Sequence, residues 1–585
     1  MKSRSIVRWA RKFKFTGTRI LIVLATVVGL ATGLGALGFV ALIEYFNELF
    51  FGLTDQILTD AVGSEGLKWW LPIIPMLGGL LVGPIVFKFA SEAKGHGVPE
   101  VMNSVARLGG IIRPRVAVAK TVASAICIGS GGSAGREGPI VQIGSAIGSS
   151  IGQLFRMSGD RVKILVGCGA AAGIAAVFNA PIAGVIFSLE VILGDFAIKT
   201  FSPVIISSVV ASVITRSFLG DHPAFDVPEY SLVSAWEVPL YAGLGTFTAM
   251  AGVTFTRTLD WFEDFFDKIK IPDMSKPAIG GLLLGGIAIF YPQILADGYE
   301  TIKLTLLGRI GLELLLVLIL LKIIATSLTL GSGSSGGIFA PSLFMGAVGG
   351  GAFGVVANYF FPEVTAGPGA YALVGMAGMV AATTHAPITA MLIIFEMTSD
   401  YRIILPLMVT VVFSALGARK LMGHSIYTIK LAKRGIDIRQ GKDINVLRSH
   451  TVSEIMDREF ETIPDATPLA KIFHAIEHSR ESYFIVTNKH GHLKGVLSFQ
   501  DIRSVLSEHS LDFLVIAKDL IHERPATLDA NDTLEKAYRA FNIQDLKLIP
   551  VVDGSGSGPN EVIGVLRRED MIDYYNKQLI DTLRN

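Results

Sequence analysis

From Ile20 to Leu416 the chain is a succession of apolar runs separated by short polar or glycine-rich breaks. They lie at 20–49, 71–89, 116–128, 140–155, 162–193, 201–219, 238–255, 278–290, 312–330, 338–356, 371–397 and 403–416. Each run predicts a helix, and several fall short of the roughly 20 residues that a bilayer-crossing helix needs. Short apolar helices broken by glycine imply segments that stop partway through a membrane, leaving backbone polar groups exposed at depth. From Lys430 onward short apolar strands alternate with amphipathic helices, as at 469–476 and 534–541, in the manner of a soluble α+β region. The composition agrees, because 51% hydrophobic and 17% charged residues are too apolar for a soluble multidomain protein.

The net charge of +1 averages two unlike regions and so says nothing for or against a nucleic-acid partner; none is expected. Lys2, Arg4, Arg8, Arg11, Lys12 and Lys14 precede the first apolar run, which reads as a retained helix with its N-terminus in the cytoplasm. The two cysteines, Cys127 and Cys168, sit in apolar surroundings and read as buried thiols without a disulfide or metal role.

The membrane region repeats. Gly129-Ser130-Gly131-Gly132-Ser133-Ala134-Gly135, with Pro139 and Gly144, returns as Gly331-Ser332-Gly333-Ser334-Ser335-Gly336-Gly337, with Pro341 and Gly346, at a spacing of 202 residues. Asn179-Ala180-Pro181 with Glu190 returns as His385-Ala386-Pro387 with Glu396 at a spacing of 206. Paired glycine-interrupted segments in two halves of a membrane protein point to a binding site at the repeat interface. The soluble region holds a smaller duplication: Gly495-Val496-Leu497 with Asp501 matches Gly564-Val565-Leu566 with Asp570, and 554–560 reads as a flexible hairpin loop.

The glycine-rich turns suggest the chemistry. An anion entering lipid needs donors in place of water, yet a fixed full positive charge would hold it too tightly to release it. Helix N-termini supply unpaired N–H groups and a partial positive charge, and glycine admits the ion close to the backbone. Three turns can each begin such a helix: Gly95-His96-Gly97-Val98-Pro99, Gly135-Arg136-Glu137-Gly138-Pro139 and Gly337-Ile338-Phe339-Ala340-Pro341. Close packing through small residues is the alternative reading of any one of them.

In these motifs the sequence resembles the CLC family of chloride channels and proton-coupled chloride exchangers, whose signatures read GSGIP, G(K/R)EGP and GxFxP. The likeness extends through Ser425-Ile426-Tyr427 and on to a pair of CBS domains. It implies an all-α polytopic membrane protein, a CLC-type inverted repeat with half-helices, followed by an α+β tandem CBS pair. The expected organisation is a cytoplasmic segment 1–17, a transmembrane region 18–429 with halves near 18–220 and 236–429, a linker 430–447, and CBS domains 448–508 and 514–578. The family also implies a homodimer with one pore per subunit, in a plasma (inner) membrane, with the CBS pair in the cytoplasm.

By the same resemblance Glu137 is the gate, a tethered carboxylate that competes with the anion. The implied anion-binding positions are Gly95, His96, Gly97, Arg136, Gly138, Gly337, Ile338, Phe339 and Tyr427, with the amides of Ile338 and Phe339 at the centre and the Tyr427 hydroxyl at the inner end. His96 departs from the signature, which has serine there. Its ring donates when neutral and can charge near physiological pH; alternatively it points away and the Gly97 and Val98 amides bind. Family exchangers generally carry a proton-passing glutamate where this chain has Val191. Adjacent Glu190 is expected to make structural contacts, with a substitute proton role as the alternative.

Valine at that position favours a passive chloride channel of the voltage-gated type. A proton-coupled chloride exchanger is the alternative, with a fluoride exporter and a CBS-regulated divalent-cation transporter more remote. The last of these would want several intramembrane carboxylates. Ser498 and Asp501, and Arg567 and Asp570 in the second copy, match the nucleotide motif of CBS domains. They imply an adenine nucleotide, ATP, ADP or AMP, or else an empty dimer module. No cofactor is required, and no catalytic constellation follows Lys430.

Overall fold

The computed structural model describes residues 17–52, 69–220, 225, 230, 232–398, 400–436, 447, 450–479, 483–498, 501–502, 515–523, 525–544, 547–553 and 561–575. The basic N-terminal residues, positions 437–446 of the expected linker and the 554–560 loop lie outside the described residues. The chain divides into two units, Met1–Ile436 and Asp437–Asn585.

The first unit is helical and double. Its first half runs α1 (Gly17–Asn47), α2 (Ile73–Pro84), α3 (Val98–Arg107), α4 (Pro114–Gly129), α5 (Glu137–Leu154), α6 (Gly159–Phe178), α7 (Pro181–Phe187) and α8 (Ile198–Leu219). Its second half runs α9 (Glu237–Lys268), α10 (Lys276–Ala288), α11 (Tyr299–Leu306), α12 (Leu312–Gly331), α13 (Phe339–Phe360), α14 (Pro368–Thr384), α15 (Pro387–Thr398) and α16 (Ile404–Leu421), and α17 (Ile429–Lys433) follows. Among the described residues, seven helices are long and apolar enough to cross a membrane. Exposed Val23, Val27, Leu30 and Leu34 on α1 form a face suited to lipid.

The halves match helix for helix, and the contacts are reciprocal. α5 packs on α6 as α13 packs on α14. Gly144 lies against the Gly169 carbonyl and Gly346 against that of Gly375, so neither helix pair has room for a side chain there. Where the pattern suggested single helices over 162–193 and 371–397, each run breaks. Asn179 and His385 adopt left-handed conformations, with φ of 56° and 59°, and a proline two residues on cannot continue the old helix but readily begins a new one.

The second unit holds two small sheets. In the first, β1 (Thr462–Pro464) pairs parallel with β2 (Tyr483–Thr487), which pairs antiparallel with β3 (Leu493–Ser498), and β3 with β4 (His522–Glu523). In the second, β5 (Leu528–Asp529) pairs parallel with β6 (Leu548–Val552) and β6 antiparallel with β7 (Val562–Arg567). Amphipathic helices α18 (Leu469–His478) and α20 (Leu534–Gln544) cover them, with the single-turn α19 (Ala517–Leu520) between the two repeats. Each repeat has its own core, around Phe484 and Leu497 in one and Phe541 and Leu566 in the other, and Ile485, Leu548 and Val565 join them.

Candidate anion pathway between the two halves

The three glycine-rich turns do begin helices, α3, α5 and α13, and they meet. The Gly135 N–H donates to the Gly337 carbonyl at 2.8 Å and the Gly337 N–H returns a bond to the Gly135 carbonyl at 2.6 Å. The Gly95 N–H donates to the Ser334 carbonyl at 3.0 Å and the Gly336 N–H to that of Gly95 at 3.3 Å. The approach is close enough that a Cβ on Gly337 would stand 2.7 Å from the Gly138 nitrogen. The amides of Gly95 and Gly337, two of the expected anion-binding positions, are thus engaged in joining the turns. The amides of Gly138, Ile338 and Phe339 lie at helix starts, where no carbonyl within the helix can reach them.

Glu137 is 1% exposed. Its side chain crosses from the first half to the second, where Oε2 accepts the Ala340 N–H at 3.3 Å and Oε1 accepts the Tyr299 hydroxyl at 3.0 Å. The carboxylate thus lies against the first turn of α13. Arg136 turns elsewhere. Its guanidinium lies 5.0 Å from the Tyr299 ring centre and lines a cavity of about 420 Å³ together with Arg216, Asp297, Tyr299, Glu300 and Lys303. Arg136 thus faces this cavity and the Tyr299 ring.

His96 and Tyr427 stand together, with ring centres 5.7 Å apart. His96 is 3% exposed, and its Nδ1 has no hydrogen-bond partner among the described residues. The His96 carbonyl abuts Gly138. Tyr427 occupies a turn ahead of α17, fixed by the Ile426 N–H on the Thr383 carbonyl at 2.9 Å. Lys430 of α17 pairs with Glu263 at 3.5 Å, and Lys433 with Asp260 at 2.7 Å, which ties α17 to α9.

Sequence reasoning missed what holds the turns in place. Lys120, fully buried, donates to the carbonyls of Ala93 at 3.1 Å and Gly95 at 2.6 Å. Lys322, also buried, donates to the carbonyls of Ile294 and Ala296, both at 2.9 Å. The lysines are 202 residues apart, the spacing of the glycine motifs, so each pins the loop of its own half. That made Ala296-Asp297-Gly298-Tyr299 the counterpart of Gly95-His96-Gly97-Val98, and Gly298 (φ 78°) shares the positive φ of Gly97 (φ 81°). A lone lysine in an apolar run of each half, at the repeat spacing, was the signal available.

Residues 78–419 match the model of the voltage gated chloride channel family, and residues 452–508 and 517–577 match that of the CBS domain. The chain belongs to the voltage-gated chloride channel family. It is 33% identical over 422 residues to a putative chloride channel protein ClcB-like from Ralstonia nicotianae, covering 71% of this chain and 98% of the relative. It is 33% identical over 417 residues to the H(+)/Cl(-) exchange transporter ClcA of Vibrio campbellii, covering 70% of this chain and 88% of that one. Among solved structures it is similar to a slow cyanobacterial Cl-/H+ antiporter, with TM-score 0.66 and 28% identity over 73% of this chain and 99% of the other. With its apolar helices, this CLC protein is an integral membrane protein with a CBS pair.

Within the CLC fold Glu190 makes the structural contacts expected of it. Its Oε1 accepts the Ile388 N–H at 3.3 Å, and Oε2 accepts the Thr389 N–H at 2.8 Å and hydroxyl at 2.6 Å. Glu396 does the same in return, accepting the N–H groups of Ile182 at 3.0 Å and Ala183 at 2.7 Å. Each half caps a helix start of the other. Val191 is buried beside Glu190 in the wide-turned segment Ser188–Leu193 that continues α7.

In the CBS pair, Ser498 and Arg567 occupy equivalent strand ends, opposite Tyr483 and Leu548. The Ser498 N–H and hydroxyl donate to Asp501 at 2.9 and 2.6 Å. Arg567 pairs with Asp457 at 2.7 Å and with Asp570 at 3.7 Å. The hydrogen bond from Arg567 holds the Asp457 carboxyl below the usual range, whereas burial pushes that of Asp570 up.

Proposed function

We propose that this protein exchanges chloride for protons across the membrane, with Glu137 as the group that meets both ions. The observation that carries this reading is the Glu137 carboxylate lodged against the Ala340 amide. A carboxylate in an anion cradle competes with the anion only while it is ionised. Protonation removes the competitor and its charge, so proton uptake and anion entry become one event. The relative and the solved structure named for chloride and proton exchange support the same reading, which replaces the channel expectation that rested on Val191.

In liposomes bearing a chloride gradient and no pH gradient, chloride flow is expected to drive protons the opposite way. Chloride flux with no proton movement, and a reversal potential that follows chloride alone, would overturn exchange. That outcome is the second reading, passive conduction, which Val191 and the fully engaged Glu190 favour.

In the proposed arrangement Ile338, Phe339 and Gly138 supply amide donors to chloride, and His96 and Tyr427 close the cytoplasmic end. The chain works as a homodimer, and the CBS pair takes an adenine nucleotide at Ser498 and Asp501, with Arg567 and Asp570 in the second copy. Titration calorimetry with ATP, ADP and AMP tests the last point, and absence of heat at millimolar nucleotide would leave a structural brace.

A further inference from the structure

The geometry points to Tyr299 as a positioning residue for the gate: its hydroxyl donates to the ionised Glu137 carboxylate and latches it into the first turn of α13. The inference rests on the reading of Glu137 as the gate. Among the described residues, Tyr299 is the side-chain donor that reaches Glu137, at 3.0 Å, and it also lines the cavity that Arg136 faces. The phenol is itself held. The Arg136 guanidinium lies over the Tyr299 ring at 5.0 Å from its centre, and the buried Phe225 ring tilts against it at 5.4 Å. The loop beneath is fixed by Lys322 through the Ala296 carbonyl. A donor held this way gives up little rotamer freedom when it bonds.

The latch distinguishes the two protonation states of the gate. Ionised Glu137 offers acceptors on both oxygens, and the Ala340 amide and Tyr299 hydroxyl take one each. Protonated Glu137 has lost acceptor capacity and gained a donor, so the same arrangement no longer satisfies both partners. A hydrogen bond donated to a carboxylate favours the ionised form, and removing it makes protonation easier. The other ionisable groups facing Glu137 are Arg136, Asp297 and Tyr427, with Arg216, Glu300 and Lys303 farther out around the cavity. Of these, Arg136 also meets the Tyr299 hydroxyl, so the Glu137→Gln background is what separates an effect on the gate from an effect through Arg136.

Tyr299→Phe keeps the ring and its stacking. In liposomes, the midpoint of chloride flux against pH is expected to move to higher pH by about one unit, the scale of one hydrogen bond to a charged group. Fluorotyrosine at position 299, a stronger donor of the same shape, is expected to move the midpoint the other way. In a Glu137→Gln background Tyr299→Phe is expected to leave the pH profile unchanged. An unmoved midpoint in both Tyr299→Phe and the fluorotyrosine protein overturns the latch. A shift by Tyr299→Phe that persists in Glu137→Gln also overturns it, because it would act elsewhere. If Glu137→Gln alone retains the acid dependence of the wild type, the gate reading fails and the latch with it.

Discussion

The helix starts of α5 and α13 are one device used twice, and they differ in what they carry. Both follow a glycine-rich turn, both place a proline three residues into the helix start, and they exchange backbone bonds through Gly135 and Gly337. α5 opens with Glu137, while α13 opens with the apolar Phe339. The carboxylate of one half therefore finds the bare amides of the other. The pinned loops differ in the same way. The Lys120 loop presents His96 to Tyr427, and the Lys322 loop presents Tyr299 to Glu137. A duplicated backbone gives donors in both halves, and a few unlike side chains put a carboxylate against one loop and an aromatic pair against the other.

Glu137→Gln removes the largest difference between the halves. Chloride-driven proton movement in liposomes is expected to fall to background, and flux is expected to lose its dependence on acid. Proton coupling that survives this change would place the asymmetry in other residues.

The pinned loops are tested by Lys120→Met and Lys322→Met. Lys322→Met removes the side-chain donor from the Ile294 and Ala296 carbonyls, whereas after Lys120→Met the Ala93 carbonyl keeps the Ser335 hydroxyl at 2.8 Å and the Gly95 carbonyl keeps the Gly336 N–H at 3.3 Å. At about 1–3 kcal/mol for an unsatisfied buried group, Lys322→Met is expected to cost roughly 2–6 kcal/mol, read as a lowered melting temperature in detergent, and Lys120→Met less. An equal or larger loss in Lys120→Met would break this account of the two loops.

A smaller effect is expected from His96→Ser, which restores the family residue at the Tyr427 end. Chloride affinity is expected to change a few-fold, because a buried imidazole and a serine hydroxyl offer different donors to an anion. Identical affinities of wild type and His96→Ser across pH 5 to 8 would take the imidazole out of the pathway.

The smallest effect contrasts the two CBS repeats. Asp457 has a depressed folded-state pKa through Arg567, so the stability it contributes is present above its unfolded value, near 3.9, and is lost as pH falls through the folded value. Asp457→Asn is expected to flatten the acid limb of CBS unfolding below about pH 4 and to change little at pH 7. A clear drop in melting temperature at pH 7 with an unaltered acid limb would show that the carboxylate acts through packing.

The pattern of apolar runs, the 202-residue spacing and the Gly135-to-Pro139 and Gly337-to-Pro341 motifs were enough to read the membrane fold, the two halves and the helix starts that meet, because each depends on local geometry. Proline and glycine fix where a helix can start, and a repeat in such signals reports a repeat in backbone. The same reasoning read 162–193 as one helix, because hydrophobicity alone does not register a left-handed Asn179.

Partnership was decided only by the tertiary structure. Nothing near Glu137 in the chain names Tyr299, 162 residues away, and nothing near Glu190 names Thr389. The amides of Gly95 and Gly337 looked as available as those of Ile338 and Phe339 until the turns were seen to pair. A sequence records which donors and acceptors exist and which helix starts are bare. Which donor meets which acceptor follows from how two distant halves close on one another, and that closure depends on packing along the whole interface rather than on any local motif.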